Sequence, residues 1–275
     1  MPKPNIHPTA IVSPRAQIAD DVEIGPYSFV GEHVAVGRGT RVGMHVLIEG
    51  YTTVGERCQI FTGAVLGSIP QDLKYRGEVS YLKIGNDNII REYVTINSGT
   101  QGGGGQTTMG HENLIMAYVH VAHDCLIGDK TILANGATLA GHVHVADQAI
   151  IGGLVAIHQF TRIGRMAIIG GCSKVVQDVP PYATCDGHPA LFRGLNIIGL
   201  ERAGIATEVI RALRQTYRYF YRMGLSRDHA LQKISQEIPP LSQIQEVVQF
   251  VRTSDRGICR GTRARESTVL DSAEL

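Results

Sequence analysis

One hydrophobic pattern, with a period of six residues, runs through most of the 275-residue chain. Ile, Val, Leu or Met occupies the repeating position 26 times. These positions are Ile6, Val12, Ile18, Ile24, Val30, Val36, Val42, Ile48, Val54, Ile60, Leu66, Ile84, Ile90, Ile96, Met109, Ile115, Val121, Ile127, Leu133, Leu139, Val145, Ile151, Ile157, Ile163, Ile169 and Val175. Insertions interrupt the pattern at about 67–83 and 98–108, and the second shifts the register by one residue.

A six-residue period matches neither the alternation of an amphipathic strand nor the stripe of a helix, and it predicts a parallel β-helix. Three hexads then form one coil of 18 residues, with the periodic residue pointing inward. Small or β-branched residues such as Ala10 and Thr40 stand two positions earlier, and we expect them near the inner corners. Glycine often follows the periodic residue, as at Gly25 and Gly37, which predicts a turn with unusual φ and ψ.

The pattern stops at Val179-Pro180-Pro181, and helical sequence follows. We predict helices over about 200–223, 226–237 and 240–257, with Ser226 and Asp228 as capping residues. The predicted domains are a β-helix over 1–190 and a helical domain over 191–261, followed by a frayed tail over 262–275. The glycine run at 102–105 is compatible with a flexible, tolerated second insertion, whereas the first insertion is chemically richer.

Composition and charge indicate the cellular compartment and the class of binding partner. The five cysteines lack paired spacing and indicate free thiols, and the chain shows neither a signal peptide nor an apolar run of membrane-spanning length. We therefore expect a cytoplasmic protein. Residues 200–266 carry 12 Lys and Arg against 7 Asp and Glu. Arg211, Arg214, Arg218 and Arg222 fall on one helix face, which is either a solvated face or a docking surface for an acidic partner; no motif favours nucleic acid.

Five of the eleven histidines lie between 120 and 158. Residues 18 apart stack in adjacent coils, so Gly141 is predicted above His123, Gln159 above Gly141, and His142 above Asp124. These are not core positions, and we expect them on an outer edge. Such a group suits acyl transfer, because an imidazole can accept a hydroxyl proton while a neighbouring carboxylate orients it and a glycine N–H binds an oxyanion.

Two other interpretations remain open. His120, His123 and His142 could bind zinc, although the stacking of Gly141 and Gln159 with His123 disfavours it. The rod could also be a non-catalytic assembly module.

Several motifs together closely resemble the UDP-N-acetylglucosamine O-acyltransferases, which catalyse the first step of lipid A synthesis in Gram-negative bacteria. The motifs are Gln71-Asp72-Leu73-Lys74-Tyr75, His120-Val121-Ala122-His123-Asp124-Cys125, Leu139-Ala140-Gly141-His142, His158-Gln159-Phe160 and Gly170-Gly171-Cys172-Ser173. The resemblance extends from residue 5 to about 260 and includes the helical C-terminus.

The resemblance implies a left-handed parallel β-helix and a homotrimer with active sites between neighbouring rods. It assigns His123 as the general base on the glucosamine 3-hydroxyl, Asp124 as its orienting partner and the Gly141 N–H as the oxyanion donor. The 3-hydroxyacyl chain arrives as a thioester on acyl carrier protein, with no resident cofactor or metal. Because that carrier is acidic, the resemblance favours the docking interpretation of the arginine stripe.

The resemblance also implies a set of substrate contacts. They are Gln71, Asp72, Lys74, His120, His142, His158, Gln159, Gly171, Asn196 and Arg202. Gly171 stands at a position that limits acyl length, and a glycine there implies a longer chain.

Three positions depart from the family pattern. Asn97 replaces a histidine, Ile198 an acidic residue and Ala203 a basic one. They leave open a 3-amino sugar analogue, acylated to an amide, as the acceptor. A sibling N-acyltransferase of the same pathway is disfavoured, since the repeat starts by residue 6.

Overall fold

The structure, a computed structural model, describes residues 3–261. Two-residue strands separated by four-residue corners dominate it, as the six-residue period predicts. The strands are β1 Asn5–Ile6, β2 Ile11–Val12, β3 Gln17–Ile18, β4 Glu23–Ile24, β5 Phe29–Val30, β6 Ala35–Val36, β7 Arg41–Val42, β8 Leu47–Ile48, β9 Tyr51–Val54, β10 Gln59–Ile60, β11 Val65–Ser68, β12 Tyr81–Ile84, β13 Ile89–Ile90, β14 Thr95–Asn97, β15 Gln106–Met109, β16 Leu114–Ile115, β17 His120–Val121, β18 Leu126–Ile127, β19 Ile132–Leu133, β20 Thr138–Leu139, β21 His144–Val145, β22 Ile150–Ile151, β23 Ala156–Ile157, β24 Arg162–Ile163, β25 Ile168–Ile169, β26 Lys174–Val175, β27 Ala183–Gly187 and β28 Ala190–Leu195.

The strands form the three sides of a prism, and the fold is a left-handed parallel β-helix. The first sheet has 11 strands, the second 9 and the third 8, and the chain visits them in turn. Strands pair in parallel one coil apart, as Ile132 does with Ile150. We call the corner between the first and second sheets the first edge, that between the second and third the second edge, and that between the third and first the third edge.

The periodic residues form one continuous core. From Ile24 onward they are almost fully buried, and each contributes roughly 1.5–3 kcal/mol by leaving water. The residues two positions earlier, such as Thr40 and Cys58, are also buried. Thr40 Oγ1 donates to the Gly55 carbonyl at 2.8 Å, which satisfies a polar group inside the corner.

The glycines that follow the periodic residue are not there for the predicted reason, which was an unusual φ and ψ. Gly25 and Gly37 do not have positive φ; that conformation falls two residues later, where Tyr27 has φ of 59° and Gly39 66°. Glycine instead permits a close approach between coils. A Cβ on Gly37 would lie 2.6 Å from the Gly55 backbone.

The prism continues into a hairpin rather than directly into a helix. β27 pairs in parallel with β25 and antiparallel with β28, which extends the first sheet beyond the repeat. The helices are α1 Ile197–Arg202, α2 Thr207–Tyr221, α3 Arg227–Glu237 and α4 Ser242–Arg252. The predicted helix over 200–223 is therefore wrong at its start, since Gly204, with φ of 72°, separates α1 from α2. Ser226 caps α3 by accepting from His229 N, as predicted, while Asp228 lies in its first turn.

The segment after α4 returns to the prism. The buried Asp178 accepts from Ser254 Oγ at 2.7 Å, and its carbonyl accepts from Cys259 N at 2.8 Å. Cys185 and Cys259, which are free thiols, lie side by side with their sulfurs 3.2 Å apart. The helical region is thus tied to the prism at both of its ends.

The predicted boundaries at 190 and 261 stay predictions, and the predicted frayed tail lies outside the described residues. No helix within residues 3–261 is long and apolar enough to cross a membrane.

Candidate active site

The candidate site lies at the second edge, in the corner between β17 and β18. His123 Nδ1 is 2.7 Å from Oδ2 of Asp124. An ionised carboxylate only accepts hydrogen bonds, so Nδ1 carries the proton and Nε2 keeps a free lone pair. The His123 side chain retains 12% exposure, which leaves it within reach of a substrate.

The Asp124 carboxylate is covered by the second insertion. Thr100 N donates to Oδ1 at 2.8 Å, and Thr100 Oγ1 donates to Oδ2 at 2.7 Å. Gly103 packs so closely that a Cβ there would lie 2.1 Å from the carboxyl carbon. The Asp124 side chain is consequently 0% exposed. The expectation of an outer edge is wrong for this residue, because the insertion folds back over it.

Gly141 lies directly above His123, as the 18-residue spacing predicts. A Cβ on Gly141 would come within 2.6 Å of His123 Cε1 and 2.7 Å of Nε2, so only glycine leaves room for the ring. The Gly141 N–H has no hydrogen-bond acceptor among the residues that the structure describes. A free N–H next to a basic ring nitrogen can stabilise an oxyanion formed close to that nitrogen.

His142 lies above Asp124, also as predicted, with Nε2 3.7 Å from Oδ2. Its ring stacks on Phe160 at a centroid distance of 4.4 Å and meets the His123 ring edge-on at 5.1 Å. Burial lowers the pKa of His142 below its usual 6.5, although the Asp124 carboxylate opposes this. The imidazole is therefore neutral near pH 7 and offers a polar contact without a positive charge.

Of the other predicted histidines, His120 lies in the second sheet beside this edge and His158 lies on the edge itself. His120 is half-buried on β17, with Nδ1 2.7 Å from Thr95 Oγ1, and burial lowers its pKa. His158 and Gln159 are exposed two coils above the His123–Asp124 pair, and Phe160 N donates to the Gly141 carbonyl. A polar strip thus extends along the edge above the His123–Asp124 pair.

The first insertion faces this strip. Asp72 and Lys74 contribute to the electrostatic environment of His142, and Lys74 N donates to Asp72 Oδ1 at 2.9 Å. Both line a cavity of about 630 Å³ that Thr100 of the second insertion also lines. Gln71 is exposed at the start of the same loop. The two insertions therefore border one cavity, and Thr100, which lines it, also contacts Asp124.

Three predicted contacts lie elsewhere in the single chain. Gly171 is exposed between β25 and β26, on the first edge. Asn196 is buried, accepting from Gly199 N and donating to the Met166 carbonyl on the third edge. Arg202 is exposed at the end of α1. The structure does not bring these residues to His123 within one chain, and their roles stay predictions.

Comparison with known proteins identifies the family. The family profile described as "Bacterial transferase hexapeptide (six repeats)" matches residues 106–141, and "Udp N-acetylglucosamine O-acyltransferase; Domain 2" matches residues 178–259. Over 255 residues the chain is 50% identical to the acyl-[acyl-carrier-protein]–UDP-N-acetylglucosamine O-acyltransferase of Thiobacillus denitrificans, covering 93% of this chain and 99% of the relative. It is 51% identical over 257 residues to the same enzyme of Aliarcobacter butzleri, covering 92% and 97%. The chain belongs to this acyltransferase family.

Solved structures support the same family. The Acinetobacter baumannii structure matches with a TM-score of 0.91 and 42% identity, covering 93% of this chain and 99% of that one. The Bacteroides fragilis UDP-N-acetylglucosamine acyltransferase matches with a TM-score of 0.90 and 42% identity, covering 92% and 99%. The family, the left-handed β-helix and the assignment as an acyltransferase are thereby confirmed.

The site also contains side chains that could bind a metal ion. His123, Asp124 and His142 place one ligand-type atom each within 4.8 Å of one another. The carboxylate oxygens, however, already accept hydrogen bonds from Thr100 N, Thr100 Oγ1 and the His123 ring. A proton shared by His123 and Asp124 fits this environment better than a cation, which would have to displace the Thr100 donors. That no metal is required stays a prediction.

Sequence reasoning missed Thr100, Gly103 and Thr107. Thr107 Oγ1 accepts from Asp124 N at 2.8 Å, so both threonines hold the same aspartate. A signal existed for Thr107, because it stands two residues before the periodic Met109, where a hydroxyl points into the corner. Thr100 gave no such signal, since the insertion has no repeat.

Proposed function

We propose that the chain transfers a 3-hydroxyacyl group from acyl carrier protein to the 3-hydroxyl of the glucosamine of UDP-N-acetylglucosamine, the first step of lipid A synthesis. One observation carries the proposal. The 2.7 Å contact between His123 Nδ1 and Asp124 leaves Nε2 free beside the unpaired Gly141 N–H. The two substrates, an acyl carrier protein and UDP-N-acetylglucosamine, are inferred from the names of the relatives.

The reaction uses this geometry in two steps. His123 Nε2 removes the proton from the sugar hydroxyl as its oxygen attacks the thioester carbon, and the Gly141 N–H binds the oxyanion. When the intermediate collapses, the C–S bond breaks and the imidazolium returns its proton to the leaving thiolate. Asp124 stabilises the imidazolium between the two steps. The phosphopantetheine thioester arrives with the carrier, so the proposal needs no resident cofactor.

The acyl chain requires a second surface. Gly171 is exposed on the first edge, where a Cβ would be 3.3 Å from the Gly153 carbonyl oxygen, and the acyl groove of the proposed site would pass over it. Because His123 lies on the second edge, one chain cannot supply both surfaces to one substrate. A homotrimer, with the site between neighbouring prisms, joins the two edges.

We propose that the carrier protein binds to a row of arginines on this chain, along α2 and its C-cap residue. Arg211, Arg214, Arg218 and Arg222 are exposed on one face. Within residues 3–261, no carboxylate forms an ion pair with them. Since the carrier is acidic, this stripe would guide it by charge, and docking should weaken with added salt.

The test is acyl transfer by purified protein, with 3-hydroxyacyl carrier protein and UDP-N-acetylglucosamine. His123→Ala should lower turnover about 10²–10⁴-fold, because the general base is lost. His7→Ala, in the first coil, is the matched control and should retain full activity. Near-normal turnover of His123→Ala would refute the proposed role.

The same assay separates the alternatives. The 3-amino sugar analogue is run alongside, and the product mass distinguishes an ester from an amide. The analogue is tested separately because Asn97 departs from the family pattern. Its Oδ1 atom is buried and has no hydrogen-bond partner among the described residues. Loss of activity on chelation, with recovery on adding zinc, would favour a metal enzyme. No product from either sugar would favour a non-catalytic module.

A further inference from the structure

Thr100, in the second insertion, contacts both oxygens of the Asp124 carboxylate. Asp124 stands between two imidazoles, 2.7 Å from His123 Nδ1 and 3.7 Å from His142 Nε2, measured from the same Oδ2 atom. A small rotation of the carboxylate would change which ring it orients. Something must therefore fix its plane.

Thr100 provides that restraint from two atoms of one residue. Its backbone N holds Oδ1 and its hydroxyl holds Oδ2, at 2.8 and 2.7 Å, so both oxygens are pinned. Thr100 is itself buried, and its carbonyl accepts from Gly103 N at 3.0 Å and Gly105 N at 2.8 Å. The donor is thus rigidly placed by the turn that follows it.

We infer that Thr100 is a positioning residue of the acyl transfer: it directs Asp124 to His123 rather than to His142 and so fixes the proton of His123 on Nδ1. This inference rests on the proposed function. Thr100 does not reach the reacting atoms, and it acts only through the carboxylate. Without its hydroxyl, Oδ2 loses one of its two partners, so the carboxylate can rotate about the remaining bond from Thr100 N, and Nε2 of His123 carries the proton for part of the time.

The test compares Thr100→Val, which is isosteric but lacks the hydroxyl, with Thr100→Ser, which retains it. Losing a hydrogen bond to a charged group should lower kcat about 10–100-fold in the valine variant. KM for the sugar should stay within about twofold, because ground-state contacts remain. The serine variant should stay within about threefold of the wild type.

A second readout requires no substrate. Nitrogen-15 NMR of histidine-labelled protein reports which ring nitrogen of His123 is protonated, with the signal assigned by its loss in His123→Gln. Wild type and Thr100→Ser should show the Nδ1–H tautomer, and Thr100→Val a mixture. If the wild-type chain proved inactive while the valine variant still lost this tautomer, the proposed function would fail, and only the effect of Thr100 on the His123 tautomer would stand.

Thr131→Val is a matched control. Thr131 is also buried, and both its N and Oγ1 donate to Asn113 Oδ1 at 2.7 Å, but at the third edge. It should lose comparable stability without any change in turnover or tautomer. Equal catalytic loss in both valine variants would mean that Thr100 has only a structural role.

The inference is overturned if Thr100→Val keeps the Nδ1–H tautomer, whatever its activity. If that variant does not fold, Gly103→Ala takes its place, because the added Cβ would press on the Asp124 carboxyl group from the same loop. Gly103→Ala should show mixed tautomers and reduced kcat, and a wild-type result would overturn the inference.

Discussion

At the scale of single residues, Gly141 combines two requirements of the site. Its lack of a side chain makes room for the His123 ring, and its N–H points to no acceptor among the described residues. The two properties serve different purposes, since the first is steric and the second electrostatic. A substitution can therefore disturb one while keeping the other.

Gly141→Ala retains the N–H but places a Cβ 2.6 Å from His123 Cε1. We expect the ring to move and turnover to fall about 10²-fold, because a shift of about 1 Å at a reacting group costs that much. Steady-state kinetics measure the effect. Gly194→Ala is the control, because a Cβ there meets nothing within 4 Å. Unchanged turnover of Gly141→Ala would mean that the ring does not need its observed position.

The sequence could predict this part of the site because stacking is strictly local. Adding 18 to a residue number finds its neighbour in the next coil, which placed Gly141 above His123 and His142 above Asp124. The same arithmetic cannot cross an insertion. Thr100 contacts Asp124 from 24 positions away, and no repeat relates the two residues.

At the scale of elements, some of the glycines that follow the inward residue allow adjacent coils to approach without a clash. Gly37 and Gly31 occupy equivalent positions in successive corners, yet their surroundings differ. A Cβ on Gly37 would lie 2.6 Å from the Gly55 backbone, whereas on Gly31 it would lie 3.5 Å from its nearest neighbour. Neither residue has positive φ. The pair therefore separates steric contact from backbone conformation.

Gly37→Ala should destabilise the protein by about 1–3 kcal/mol, as expected for overpacking. Gly31→Ala should change stability by no more than about 0.5 kcal/mol in either direction. Thermal or denaturant unfolding of both variants measures the difference. Similar losses would show that the close contact with the neighbouring coil does not distinguish the two positions.

The C-terminal region contains two features that the sequence did not predict, a hairpin and a break between two helices. The hairpin β27–β28 follows Pro180-Pro181 and has no six-residue period, so only its pairing with β25 makes it a strand pair. The break at Gly204 was likewise missed, because isolated glycines also occur inside helices. Helix α3 was predicted over 226–237 and is observed over Arg227–Glu237, since its serine cap is a local signal.

At the scale of the whole molecule, the three edges of the prism are chemically different. The second edge carries His123, whereas the first carries Gly171. A closed ring of three copies with head-to-tail contacts brings unlike edges together at every interface. Each proposed site then takes its base from one copy and its acyl groove from another.

Co-expression of His123→Ala with Gly171→Met tests this arrangement. Neither variant alone should transfer a long acyl chain, because the first lacks the base and the second fills the groove. Random mixed trimers should recover about one quarter of wild-type activity, since each site draws on two copies independently. Gly171→Met alone should still accept a short acyl donor. No recovery in the mixture would place both residues in a site formed by one chain.

The contacts of Asp178 with the segment after α4 affect how a binding partner could approach the helical region. Asp178 and Phe192 both hold the segment after α4, the latter through a 2.8 Å bond from its N to the Arg260 carbonyl. Tyr217 and Tyr221 of α2 also stack on Phe192, so this helix and its arginines are packed against the hairpin that extends the prism. If the proposed carrier docks on α2, it meets a defined orientation relative to the second edge, and little conformational freedom is lost on binding.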